Sequence, residues 1–243
     1  MLLHGVGLRA DMWRPVAERM AQHHRVVAPD LLGHGASPVP RADVSLADYA
    51  SQVAALLRHL RIERAGIVGF SMGAMVAQRF ALDHPGLASA VALVCAVHDR
   101  TMEEKLAVRT RALATAIHGI APSVQAALER WFTPAFATAR PEVIESVKQA
   151  MLANDPVGYL RSYALFAQAD EELAKEAGRI RTPTLIVAAA DDVGSTPKMA
   201  LALHGVIAGS QLSIVPGVRH MLPLEMPERL VDLLDSFLGS GTR

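Results

Sequence analysis

The chain has 243 residues, enough for one large α/β domain with or without an insertion, and 51% are hydrophobic, so a substantial core is available. Lys+Arg and Asp+Glu both number 24, which leaves no electrostatic case for nucleic acid or an anionic membrane as a partner. The single cysteine, Cys95, excludes an internal disulfide and fits a reducing cytoplasm; no apolar run approaches the roughly 18 residues of a membrane span, and "MLLHGVG" has no signal-peptide pattern.

In chain order, "MLLH" reads as a first strand, short against the usual run of about five or six residues. The glycine loop "HGVG" (4–7) follows it. "RVVAPD" (25–30) reads as the second strand, leading into a shape-setting turn, "DLLGHGAS" (30–37), with Gly33, His34 and Gly35. "SLADYASQVAALLRHL" (45–60) reads as a helix: Ser45 is a candidate N-cap, Asp48 lies three residues on, and Leu46, Tyr49, Ala50, Val53 and Leu57 keep helical spacing. "AGIVGF" (65–70) and "AVALVC" (90–95) are strands, with a helix over 72–82 between them that Pro85-Gly86 stops. From 98 to 180 there is no convincing strand, only short helical patterns marked off by Pro122, Pro134, Pro141 and Pro156. "TLIVAAA" (184–190) and "QLSIVP" (211–216) return to strands, and "EMPERLVDLLDSFL" (225–238) closes the chain as an amphipathic helix.

The strands lack polar alternation, as expected of a parallel sheet covered on both faces. The pattern predicts an α/β fold with a doubly wound, mostly parallel sheet. Its core spans 1–97 and 181–243, and residues 98–180 form a helical cap over the carboxyl ends of the strands, where ligands bind.

"GFSMG" (69–73) matches G-x-S-x-G. The chain must leave a strand and enter a helix in one sharp turn, which strains the serine and leaves no room for a Cβ two residues before or after it. Ser71 is the candidate nucleophile. A hydroxyl needs a base, and the base needs a third group to orient it. His220, in the loop between the last strand and the last helix, is the candidate base. His23, His24, His59, His84 and His118 read as ordinary surface residues, and His98 and His204 as pocket neighbours at most. The acid should follow the penultimate strand, where Asp191 and Asp192 stand together; the usual G-x-x-D count, with Ala189 at the glycine position, favours Asp192. Backbone donors for an oxyanion are expected at Met72, the residue after the nucleophile, and at Val6 in "HGVG".

With HGVG, DLLGHGAS, GFSMG, the Asp192 loop and "HMLPLE" in this order, the chain resembles the α/β-hydrolase superfamily over essentially its whole length. Within it, "ERWFTPAF" (129–136) and "PVGY" (156–159) resemble the cap of 3-oxoadipate enol-lactonases. That resemblance implies a hydrolase of a small-molecule ester or lactone, opening an enol-lactone through an acyl-enzyme on Ser71, with no metal and no organic cofactor. It also implies a carboxylate on the substrate, hence a cation in the pocket: Arg130, Arg161 and Arg9 are candidates, and Trp131 and Trp13 are candidate walls. A carboxylesterase or carbon–carbon bond hydrolase with the same triad is the alternative, and a silent ligand-binding protein of this fold the third reading. Haloalkane dehalogenases and epoxide hydrolases use aspartate where this chain has Ser71. Three departures stand out: Ala74 for a second glycine after the elbow, one extra residue in "DDVGSTP", and no counterpart of the two antiparallel strands that precede the first HG loop in the family. A sheet without those strands and a stunted first strand are therefore expected.

Overall fold

A computed structural model describes residues 1–239; positions 240–243 of the expected core segment lie outside the described residues. Five strands form one sheet whose spatial order is the chain order: β1 (Leu2–Leu3), β2 (Ala65–Phe70), β3 (Ala88–Val94), β4 (Thr184–Ala189) and β5 (Gln211–Val215). Every neighbouring pair is parallel. Side chains alternate between two apolar layers. Ile67, Leu93 and Ile186 enter one; Val68, Val94 and Val187 enter the other. A strand apolar on both faces must be covered on both.

Three helices precede the insertion: α1 (Arg14–Met20), α2 (Leu46–His59) and α3 (Met72–Asp83). Six lie between β3 and β4: α4 (Met102–His118), α5 (Ala121–Trp131), α6 (Pro134–Ala139), α7 (Pro141–Leu152), α8 (Pro156–Phe166) and α9 (Asp170–Glu176). Then come α10 (Pro197–Val206), α11 (Leu222–Glu225) and α12 (Pro227–Gly239). The apolar faces of α2, α3 and α10 fill the first layer, and those of α1 and α12 the second. At the start of α2 the Ser45 hydroxyl accepts the Asp48 N–H and the Asp48 carboxylate accepts the Ser45 N–H, a complete capping box. Pro122, Pro134, Pro141 and Pro156 each occupy the first turn of a helix, where the missing N–H costs no hydrogen bond.

The two ends of the insertion are tied together. The Arg100 guanidinium, buried, donates from Nη1 to Asp170 Oδ1 at 2.9 Å and to the Phe166 carbonyl at 3.1 Å, and lies 4.6 Å over the Phe166 ring. Both charges are almost wholly excluded from water, so each depends on the other.

One expected strand does not form. Residues 25–30 run beside β1, but among the described residues a single backbone hydrogen bond joins the two, from the Leu2 N–H to the Val27 carbonyl (2.8 Å). With a two-residue neighbour, no ladder can propagate along them. No described helix is long and apolar enough to cross a membrane.

Candidate active site

The backbone turns at Ser71 with φ 54° and ψ −114°, a region that side-chain-bearing residues rarely adopt. The turn is enforced from both sides. A Cβ on Gly69 would overlap the Gly73 carbonyl, and a Cβ on Gly73 would overlap the Leu3 carbonyl of β1. The two glycines therefore let α3 start against β2 and β1 with no intervening atoms. The Ser71 N–H donates to the Val94 carbonyl at 2.9 Å, and the Ser71 carbonyl accepts the Ala74 N–H at 2.9 Å, so the residue is fixed to β3 on one side and α3 on the other.

Beyond β4 the two adjacent aspartates part. Asp191 is exposed; Asp192 is 4% exposed. Asp192 Oδ2 lies 2.6 Å from His220 Nδ1, while its Oδ1 accepts the N–H groups of Gly194 (2.8 Å) and Ser195 (3.0 Å). Burial pushes this carboxyl up, but the His220 pairing and the two backbone donors outweigh it and hold it below the usual carboxylate range.

His220 follows β5, and its ring lies between Phe70 (centroids 4.8 Å apart) and Trp131 (5.8 Å). The loop that carries it is tied to the "ERWFTP" segment. The Met221 N–H donates to the Trp131 carbonyl at 3.0 Å, and Arg219 donates to the Glu129 (2.8 Å) and Phe132 (3.1 Å) carbonyls. The Thr133 hydroxyl donates to Glu225 at 2.5 Å.

Ser71, Asp192 and His220 share one cavity of about 380 Å³, with Val6 on the same wall. The Met72 N–H and the Val6 N–H find no protein acceptor among the described residues. Trp131 and Arg130 line the cavity, but three other expectations are corrected. Trp13 is fully buried in the core, edge-on to Phe70 at 6.4 Å, and does not reach the cavity. Arg161 turns away to the Pro40 carbonyl, and Arg9 pairs with Asp11 at the surface. His118 is exposed, as expected of a surface residue, and also stands on the cavity rim.

The sequence reading missed Arg111. It lines the cavity from α4, with Arg130 facing it from α5. Among the described residues no carboxylate pairs with either guanidinium; Arg130 donates only to the Ala126 carbonyl, at 2.7 Å. Burial, and then the neighbouring Arg111, lower the Arg130 pKa. Tyr159 adds a buried phenol whose pKa burial pushes up.

Cys95 Sγ, an Asp192 oxygen and a His220 ring nitrogen lie within 4.8 Å of one another. They make a poor metal site. Burial and then Asp192 hold the thiol protonated, well above its ordinary pKa, and the other two ligands already bond each other.

A family model for the alpha/beta hydrolase fold matches residues 1–227. Among curated relatives, an (E)-2-((N-methylformamido)methylene)succinate hydrolase of Acinetobacter baylyi is 28% identical over 98% of this chain and 89% of its own. A 3-oxoadipate enol-lactonase of the same organism is 29% identical over 93% of this chain and 82% of its own. The crystal structure of an enol-lactonase from Burkholderia xenovorans superposes with a TM-score of 0.89 at 26% identity, over 98% of this chain and 90% of that one. On this match of motif order, topology and sequence, the chain belongs to the alpha/beta hydrolase fold family.

Proposed function

We propose that the protein is a serine hydrolase of small, carboxylate-bearing esters or lactones, with 3-oxoadipate enol-lactone as the type of substrate. The observation that carries this reading is one cavity shared by Ser71, at the sharp strand–helix turn, and His220, held by Asp192. Helices of residues 98–180 act as the cap of a core formed by 1–97 and 181–239.

In this mechanism Ser71 Oγ attacks the lactone carbonyl while His220 Nε2 takes its proton. Asp192 fixes the tautomer by accepting the proton on Nδ1 and stabilises the imidazolium. The developing oxyanion accepts the Val6 and Met72 N–H groups. Collapse breaks the ring carbon–oxygen bond; the leaving enolate oxygen receives the proton from His220 and ketonises. A water, deprotonated by His220, then attacks the acyl-enzyme, and Ser71 leaves with its proton restored.

Arg111 and Arg130 support the carboxylate. Two guanidiniums that pair with no carboxylate among the described residues suit a ligand that brings its own negative charge. The names of both Acinetobacter relatives denote derivatives of dicarboxylic acids, adipate and succinate.

Two measurements test the proposal. p-Nitrophenyl acetate should give a burst of p-nitrophenol, abolished in Ser71→Ala; a variant that still turns over ends the serine reading. The kcat/KM for the enol-lactone should exceed that for neutral esters of similar size. Equal values leave a general carboxylesterase.

A further inference from the structure

Three consecutive peptide groups after β1 are each held by a side chain. The Gly5 carbonyl accepts His4 Nδ1–H at 2.8 Å and also the Leu8 N–H at 3.2 Å. The Gly7 N–H donates to His34 Nε2 at 2.9 Å. The Gly7 carbonyl accepts a hydrogen bond from Asn154 Nδ2 at 2.8 Å, from the turn that follows α7. Among these groups the Val6 N–H finds no protein acceptor, and Val6 faces the cavity.

The geometry of a peptide makes this arrangement directional. In a planar trans unit the Val6 N–H points opposite to the Gly5 carbonyl. Donors that capture the carbonyl therefore aim the N–H the other way. A hydrogen bond at the oxygen also polarises the unit and strengthens its N–H as a donor.

The ring of His4 is itself held: its Nε2 accepts the Leu31 N–H at 2.8 Å. The His34 ring is held through Nδ1–H, which donates to the Leu32 carbonyl at 3.0 Å, and the two rings meet edge to face at 5.0 Å. Each imidazole donates from one nitrogen and accepts at the other, which only the neutral form can do. Each histidine thus takes a backbone donor from the loop that carries its partner.

We infer that His4 is a positioning residue for the hydrolysis, aiming and polarising the Val6 N–H through the Gly5 carbonyl, while His34 and Asn154 fix the next peptide groups. This rests on the reading of Ser71 as nucleophile. It makes the buried histidine of "HGVG" part of how the oxyanion is held, without touching substrate.

The test compares His4→Leu, His4→Gln and Asn154→Leu, with folding checked by circular dichroism and thermal melting. Removing an oxyanion donor outright costs about 10²–10³ in rate, so misaiming one should lower kcat for p-nitrophenyl acetate at least about tenfold. KM should stay within about twofold, because the donor acts on the transition state. Inhibition by a short alkylboronic acid, a tetrahedral mimic, should weaken in step with kcat. His4→Gln, which keeps a donor and an acceptor, should recover part of the loss. A folded His4→Leu with unchanged kcat overturns the inference, as does a loss confined to KM. If His4→Leu does not fold, Asn154→Leu must show the same split between kcat and KM, and its absence overturns the inference equally. Turnover surviving in Ser71→Ala would refute the reading of Ser71 as nucleophile; a dead Ser71→Ala beside a fully active His4→Leu would refute only this step.

Discussion

Asp192 holds His220 Nδ1 at 2.6 Å from a buried carboxylate, while Asp191, its immediate neighbour, faces solvent. Adjacent residues at a strand end point to opposite sides, so only one can serve an imidazole. Asp192→Asn should lower kcat about 10³–10⁴-fold, because the amide offers its N–H where a carboxylate accepted one and so favours the wrong tautomer. Asp191→Asn, at an exposed position, should leave kcat within about twofold. A steady-state comparison of the two variants decides it, and a larger loss at Asp191 would refute the assignment.

The strain at Ser71 gives a second expectation, about stability. At φ 54° and ψ −114° a Cβ is penalised, whereas glycine is not. Ser71→Gly and Ser71→Ala both remove the hydroxyl, but only the first relieves the backbone. Ser71→Gly should therefore be the more stable of the two by about 1 kcal/mol, even after glycine's larger loss of freedom on folding. For a chain of this size that is about 2–4 °C in melting temperature. Equal melting of the two would mean that the turn stores no strain.

The parts of this molecule that were legible in the sequence are those fixed by local chemistry. The Gly69–Ser71–Gly73 spacing encodes a steric condition, and the structure meets it at the carbonyls of Gly73 and Leu3. Ser45 with Asp48 encodes a capping box, and the four prolines mark helix starts. Whether a stretch finds a partner is not local. "RVVAPD" has the residues of a strand but only β1 beside it. Direction is not local either: Trp13, Arg9 and Arg161 have the right side chains and point elsewhere. Helix α4 shows why Arg111 escaped notice. Its most apolar stripe, Met102, Leu106, Leu113 and Ile117, faces solvent, while Glu104, Arg111 and His118 line the cavity at sevenfold spacing. Amphipathicity alone would have turned this helix over.

The Arg111–Arg130 pair predicts a change in specificity rather than in chemistry. Arg111→Gln removes one cavity-lining guanidinium that pairs with no carboxylate among the described residues. KM for a monomethyl ester of a short dicarboxylic acid should rise about tenfold, the scale of one charge-assisted hydrogen bond. Kinetics on p-nitrophenyl acetate, which carries no carboxylate, should stay within about twofold. Arg130→Gln should behave alike, and both effects should shrink at high salt. Parallel loss on charged and neutral esters would show a packing role and no anion recognition.

Burial, above all, holds His4 neutral with a pKa of about 3 and His34 with a pKa of about 4, against 6.5 for the free side chain. The His4–His34 proximity lowers His4 further; Asp30 opposes the shift at both rings but does not overcome it. Because the folded values are depressed, the unfolded chain binds these protons first as pH falls. Their stabilising effect is complete above pH 6.5 and is lost progressively as pH drops toward 4 for His34 and toward 3 for His4. Each fully buried neutral histidine contributes a slope of about 1.4 kcal/mol per pH unit inside its window. Glu225, half-buried with a carboxyl pushed up by burial, works in the opposite sense and only in part. Urea unfolding at pH 7 and pH 5 should therefore show a marked loss of stability at the lower pH. His34→Gln replaces one titrating ring by a group that stays neutral, so its stability should vary less steeply with pH, even where it starts lower. Identical pH slopes in the parent and His34→Gln would mean that the buried ring takes up its proton as readily folded as unfolded.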